Sequence, residues 1–283
     1  MGVSVEGRQL EAVKLTSPDG KLERPLLRPM VRVMGNIHGD GSVSREMVIA
    51  LAKYLTYNYG RVGRVTSLLD TTDVHLVPSL NPDGFERVTR GNSRGVDLNS
   101  NFPTWTEVGL DRSALLRNRE EEVAAVIDWT LENPFVLSLT LMDGDLGVVF
   151  PWTDNFTRVW EKSTIFRRYS GAEEAESLRE SPDEESFQAL AKLFTSSHPL
   201  MATAAGCSTF RQEVEVERKS EIFSGSLQDF TYLFSNCLEI TAHLSCVKKP
   251  LASSLQVGIR FKPTPFNHFF SATDSIQPYS SQP

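Results

Sequence analysis

Cysteine is scarce in this chain: three residues in 283, Cys207, Cys237 and Cys246. That excludes a disulfide-dense miniprotein and a cysteine-rich zinc module. A single bridge between Cys237 and Cys246, with Cys207 left over, and a fully reduced chain both fit the spacing. Long apolar runs are missing too. The longest dense one, Phe135 to Met142, ends after eight residues, far short of the roughly 20 that cross a bilayer as a helix. Basic residues are outnumbered, 29 against 36 acids, for a formal net charge of −7. No basic face is available to neutralise phosphates, which excludes a nucleic-acid binder. Met1 to Gln9 has no basic-then-apolar leader signature. Internal repeats, a phosphate-cradling glycine loop and a nucleophile elbow are also absent. The 40% hydrophobic content supplies a core for one large α/β domain or two small ones.

Periodicity assigns the elements. Leu10 to Leu15 alternates as a strand and leads into a turn at Ser17-Pro18-Asp19-Gly20. Met30 to Met34 is a second strand and runs into Gly35-Asn36-Ile37-His38-Gly39-Asp40-Gly41. Met47, Val48, Leu51, Ala52 and Leu55 predict a helix over Ser44 to Tyr57 with Ser44 as its N-cap. Val74 to Pro78 reads as a strand and Ser79 to Pro103 as a long loop. Arg119 to Glu132 is a helix that opens on three glutamates, where the macrodipole favours anions. Phe135 to Leu141 and Leu146 to Phe150 are strands about an Asp143-Gly144 turn. Asp183 to Ser196 is a helix, and Leu238 to Leu244 is the last core strand. Beyond Pro250 the composition turns to Ser, Pro, Gln and Phe, and 251–283 is expected to be a disordered tail. Asn155-Phe156-Thr157 is a formal glycosylation triplet, of a kind that arises easily by chance. His75, His198 and His268 read as ordinary strand, loop and tail residues.

Three stretches carry a resemblance. They are Met34-Gly35-Asn36-Ile37-His38-Gly39-Asp40-Gly41; Pro78-Ser79-Leu80-Asn81-Pro82-Asp83-Gly84-Phe85-Glu86 with Gly95 to Pro103; and Gln228-Asp229-Phe230 with Asn236-Cys237-Leu238-Glu239-Ile240-Thr241 and Leu244-Ser245-Cys246. In order and separation they resemble the zinc metallocarboxypeptidases, in the branch of carboxypeptidases D, E, M and N, from about Val5 to Pro250. The resemblance implies an α/β/α sandwich around a mixed, mainly parallel sheet over residues 1–250. It also implies a chain truncated at its N-terminal edge, because relatives begin with a further strand and helix. Losing that edge would expose apolar surface and unpaired backbone.

An active member of the family holds zinc with two histidines and a glutamate and keeps one position open for water. A further glutamate takes the water's proton, arginines clamp the peptide carboxylate and stabilise the oxyanion, and a tyrosine closes over the substrate. Aligned on the motifs, His38 is retained as a ligand, but Gly41 stands at the glutamate ligand and Met142 at the second histidine. Glycine has no donor, and a thioether is a poor zinc ligand. His243 stands at the general base, Glu221 at the tyrosine and Ser100 at the oxyanion arginine. The lost arginine removes a bidentate contact worth about 2–3 kcal/mol.

Part of the substrate apparatus survives by the same alignment: Arg90 at the carbonyl-stabilising arginine, Asn99 at the carboxylate-binding asparagine, and Gln228 in the side-chain pocket. Thr153, beside Asp154, replaces the acid that selects a terminal Lys or Arg. Plainer readings stand beside these. His38 is then a strand-end histidine bonded to backbone, Arg90 a solvated cation or a partner of Asp83 or Asp97, and Asn99 and Asp97 are loop-shaping residues.

The pattern implies a catalytically degenerate carboxypeptidase-like domain, with no zinc expected, that binds a peptide or protein C-terminus rather than cleaving it, as in the inactive repeats of the carboxypeptidase D type. The alternative is a working zinc peptidase releasing C-terminal basic residues through a remodelled site of His38, His243 and Asp143. A third reading is a non-functional fragment.

Overall fold

The computed structural model describes residues 1–17, 28–151, 181–203, 207, 224–250 and 263–272. The chain opens with a small antiparallel ribbon of β1 (Gly2–Val3) and β2 (Gln9–Leu10). The alternation over Leu10 to Leu15 is therefore split, and only β3 (Val13–Leu15) joins the main sheet. That sheet also contains β4 (Met30–Gly35), β5 (Asp73–Val77), β6 (Phe135–Met142), β7 (Asp145–Val149) and β8 (Leu238–Ser245), in the order β3-β5-β4-β6-β8-β7. The four inner strands are parallel; β3 and β7 run antiparallel at the edges. Strands buried on both faces form such a centre, and the sheet is mixed and mainly parallel as expected.

Helices cover both faces. On one side α1 (Val43–Asn58), α2 (Gly63–Thr71), α6 (Glu184–Ser197) and α8 (Pro263–Ser271) bury Val48, Leu51, Leu69, Phe187, Phe194 and Phe269 against Val31, Val33, Leu139 and Ile240. On the other, α5 (Glu121–Glu132) and α7 (Leu227–Ser235) bury Val126, Ile127, Leu227 and Phe230 against Met34, Val77 and Met142. Two short helices, α3 (Pro82–Arg87) and α4 (Arg112–Leu116), lie in connections. Among the described residues no helix is long and apolar enough to cross a membrane.

The second face holds a charged pair. Arg32, fully buried on β4, donates to Ser138 Oγ at 2.9 Å, Thr130 Oγ1 at 2.6 Å and Thr231 Oγ1 at 2.7 Å, and reaches Glu239 Oε2 at 3.3 Å. Its guanidinium also lies over the rings of Trp129 and Phe135. Glu239 takes a further bond from Thr140 Oγ1 at 2.5 Å. One cation thus links β4, β6, β8, α5 and α7, and every partner is a hydroxyl, a carboxylate or an aromatic face.

Several expectations are corrected. The span Ser79 to Pro103 is no plain loop, for it contains α3 and a 3-10 turn at Leu98–Ser100, whose caps are the side chains of Asn81 and Asp97. The helix α2 was not anticipated. Ser44 is not the N-cap of α1; Ser42 is, and Ser44 lies within the first turn. The tail is not disordered throughout, since α8 packs Phe266, Phe269 and Phe270 into the first core, with Phe266 edge-on to Phe194. Cys207 is bridged to Cys246, with Cα atoms 5.4 Å apart, and Cys237 is the free, buried thiol. Cys237 and Cys246 flank opposite ends of β8, roughly 26–30 Å apart at strand rise, far beyond the span of a disulfide. The turn at Pro18-Asp19-Gly20 and the triplet at Asn155 lie outside the described residues.

Removing one partner of the buried pair leaves an uncompensated charge. The Glu239→Ala change is expected to lower stability by about 3–5 kcal/mol, read from urea unfolding. Burial holds His75 and His198 as neutral imidazoles, each with its pKa depressed to about 4 from 6.5. Groups depressed on folding stabilise above their unfolded pKa, so this contribution is complete above pH 6.5 and is lost as pH falls towards 4. His75→Phe should flatten the unfolding midpoint against pH over that window, by on the order of 2–3 kcal/mol.

Candidate functional site

In an open α/β sheet, ligands collect beyond the carboxyl ends of the strands where the strand order reverses. Here that point follows β4, which has β5 on one side and β6 on the other. Residues 36–41 leave β4 there. Asn36 takes a positive φ of 56° and its amide donates to the carbonyls of Gly41 at 2.6 Å and His38 at 3.0 Å, while Ser79 Oγ donates to Asn36 Oδ1 at 2.6 Å. Gly39 packs on the backbone of Gly84 with no room for a side chain, and a side chain on Gly84 would meet the Gly91 carbonyl and the Asn81 amide. Asn81 completes the joint: its Oδ1 accepts from Gly84 N, and its Nδ2 donates to the carbonyls of Ile37 and Arg90. The Asn-Pro-Asp-Gly motif is therefore the clasp that positions the His38 loop.

His38 is bonded to a side chain, not to backbone. Its Nε2 lies 3.1 Å from Asp97 Oδ1, and Asp97 Oδ2 accepts from Arg90 Nε at 2.8 Å. Of the two partners left open for Arg90, Asp97 is the one it takes. Burial pushes the Asp97 carboxyl up, but the His38 hydrogen bond and the His38 and Arg90 charges outweigh it and hold the group well below the usual carboxylate range. Asp97 also accepts from Asn99 N at 3.0 Å, and Ser100 Oγ donates to the Asp97 carbonyl at 2.9 Å. Asp83 is occupied elsewhere, by Ser4 Oγ, Glu6 N and Arg8.

Among the described residues, the donors at this end of the sheet do not fit the zinc ion that the resemblance implies. Met142 is buried in the apolar cluster with Met34, Ile37 and Val77. Gly41 offers no donor, and a Cβ built on it would stand 2.5 Å from Asp143 Oδ2. Asp143 faces the first turn of α1, where it accepts from Ser44 N at 3.1 Å and Ser44 Oγ at 2.9 Å. Burial raises its carboxyl to about 6, opposed by the hydrogen bonds from Ser44 and Val43 and assisted by Asp40. His243 is half-buried on β8, across from Met142 and Gly147. The ligand atoms of His38, Asp143 and His243 do not all three gather within 4.8 Å of one another. Among the described residues Glu120, Glu121 and Glu122 form the one such group, and Arg94 and Asn92 already pair with it.

The remaining positions divide. Asn99 Oδ1 accepts from Leu227 N at 3.1 Å and thereby fixes the start of α7. Gln228 is buried, with its Oε1 accepting from Thr241 Oγ1 at 2.7 Å. Ser100 is exposed. Glu221, Thr153 and Asp154 lie outside the described residues. Sequence reasoning missed the part Asp143 plays, because it depends on the end of β6 meeting the start of α1.

With this geometry in place, comparison with known proteins is direct. A family model described as zinc carboxypeptidase matches residues 1–282. Carboxypeptidase D of Mus musculus is 37% identical over 290 residues, covering 90% of this chain and 20% of that protein. Carboxypeptidase D of Drosophila melanogaster is 33% identical over 270 residues, covering 90% and 18%. Human carboxypeptidase Z is 32% identical over 291 residues, covering 91% and 42%. Among solved structures, thrombin activatable fibrinolysis inhibitor superposes with a TM-score of 0.67 at 20% identity, over 96% of this chain and 67% of that one. Carboxypeptidase A from Helicoverpa armigera gives 0.67 at 14%, over 96% and 68%. The chain belongs to the zinc carboxypeptidase family. It spans about a fifth of the length of the carboxypeptidase D relatives it matches.

Asn99→Ala removes the acceptor for the Leu227 amide at the entry to α7. It should cost about 1 kcal/mol with no ligand present, measured by thermal unfolding of the free protein.

Proposed function

We propose that this is a catalytically degenerate metallocarboxypeptidase-like domain that binds a peptide or protein C-terminus without cleaving it. The observation that carries the reading is the pairing of Gly41 with Asp143: where the family pattern places a metal-binding glutamate there is no side chain, and the adjoining space is filled by a carboxylate bonded to Ser44. Two further facts support it. Met142 belongs to the apolar core, and the residue at the general-base position, His243, is an imidazole whose ligand atoms do not gather with those of His38 and Asp143.

Binding is supported by what the loops retain. The clasp of Gly39, Gly84 and Asn81 keeps the backbone around His38 in place. Arg90 keeps only its Nε on Asp97 among the bonds seen, with the side chain nearly half exposed. Its terminal nitrogens are suited to a peptide carboxylate. The alternative, a zinc peptidase acting on C-terminal basic residues through a remodelled site, needs the three donors to converge, and nothing in the geometry favours it.

Metal analysis of the purified chain is expected to give well below one zinc per molecule, and peptides ending in Lys or Arg should stay intact. Calorimetry with a peptide bearing a free C-terminus should show binding that weakens by about tenfold on amidation, and by a similar factor in Arg90→Ala. Stoichiometric zinc together with release of the terminal residue would overturn the reading.

A further inference from the structure

We infer that the Asp143 carboxylate holds position 41 as glycine, so that restoring the family's ligands at 41 and 142 does not by itself rebuild a zinc site. The inference rests on the proposed degeneracy of the site and concerns what maintains it. A Cβ at residue 41 would meet Asp143 Oδ2 at 2.5 Å and Asp143 Cγ at 3.3 Å, so even alanine intrudes on the carboxylate. The far end of a flexible side chain could swing aside; this one is short and anchored. Asp143 is 8% exposed and accepts from both the amide and the hydroxyl of Ser44. Turning it away would strand two buried donors in the first turn of α1, where an anion is also favoured by the helix dipole.

The surroundings leave the carboxylate little freedom. Ser42, the N-cap, donates from its amide to the Lys248 carbonyl at 2.8 Å, and Lys248 Nζ pairs with Asp40 at 2.8 Å. Gly144 follows Asp143 at φ +99° with the Lys248 stem against it, and its amide donates to the Ser245 carbonyl at 2.6 Å. Gly144, which follows the aspartate, is thus pinned to the last residue of β8, and the residues beside Gly41 are pinned to Lys248 just beyond it. A glutamate at 41 would add a second carboxylate beside the first in a buried place, where two like charges resist ionising together. Asp143 is a positioning residue: it ties the end of β6 to the start of α1 with protein atoms alone.

The test is a double-mutant cycle on the full chain. Gly41→Ala in the parent should lower the folding equilibrium constant by about tenfold or more, whereas in an Asp143→Ser background, where a short hydroxyl can still serve Ser44, the same change should cost about threefold or less. Equal costs in both backgrounds would overturn the inference. A second arm adds Gly41→Glu and Met142→His with and without Asp143→Ser and measures zinc affinity by chelator competition. Tighter zinc binding only when Asp143 is replaced is expected, and tight binding with Asp143 intact would overturn the inference. Should the unaltered chain bind zinc stoichiometrically, the proposed function fails, while the stability cycle still reports on the two residues independently.

Discussion

A single buried cation organises the sheet. Arg32 and Glu239 are both removed from solvent, and their hydrogen bonds run through Ser138, Thr130, Thr231 and Thr140. Burying the two charges is costly, and the cost is offset because every nitrogen of the guanidinium and both oxygens of the carboxylate have a partner. The arrangement also fixes where β4, β6 and β8 stand relative to one another, and the loops of the candidate site spring from the carboxyl ends of these strands or their neighbour β5. Register at the base of the sheet therefore sets geometry at its rim.

Above that base, the loops at the strand ends are held as a tightly bonded frame. Glycines at 39 and 84 permit a backbone approach that no other residue would allow, and Asn36 and Asn81 supply the bonds that a freely moving loop would lack. The His38–Asp97–Arg90 chain belongs to the same frame, since Asp97 caps the Leu98–Ser100 turn while holding the histidine and the arginine. These contacts demand glycine, asparagine and aspartate at set positions for reasons of backbone conformation. The loops need such residues in order to fold, whatever other side chains stand around them.

The inner strands were legible because their apolar runs are buried on both faces, as were the long amphipathic helices. The helix Gly63–Thr71 escaped notice because it buries little more than Val65 and Leu69. Pro82-Asp83-Gly84 looks like a turn and becomes the start of a helix because the Asn81 side chain caps it. The segment at Pro263 is rich in Pro and Phe without clear periodicity; it becomes helical as Phe266 meets Phe194 from far along the chain and Phe269 and Phe270 join the same core. For the candidate site, motif spacing singled out His38, Arg90, Asn99 and Gln228. It did not reveal that Asn99 and Gln228 spend their side-chain oxygens on Leu227 and Thr241, or that Asp143 reaches Ser44. Those are contacts between elements distant in sequence, which no local pattern encodes. The cysteine pairing was in part recoverable, for a predicted strand between Cys237 and Cys246 already keeps them apart.

The bridge between Cys207 and Cys246 closes a covalent ring across a separation of 39 residues. In the chain-entropy picture a ring of that size restricts the denatured ensemble by about 4 kcal/mol, a sizeable share of the 5–15 kcal/mol margin on which a domain of ordinary stability stands. The same polypeptide synthesised among reducing thiols forgoes that restriction. How robust this domain is therefore depends on the redox conditions in which it matures as well as on its sequence.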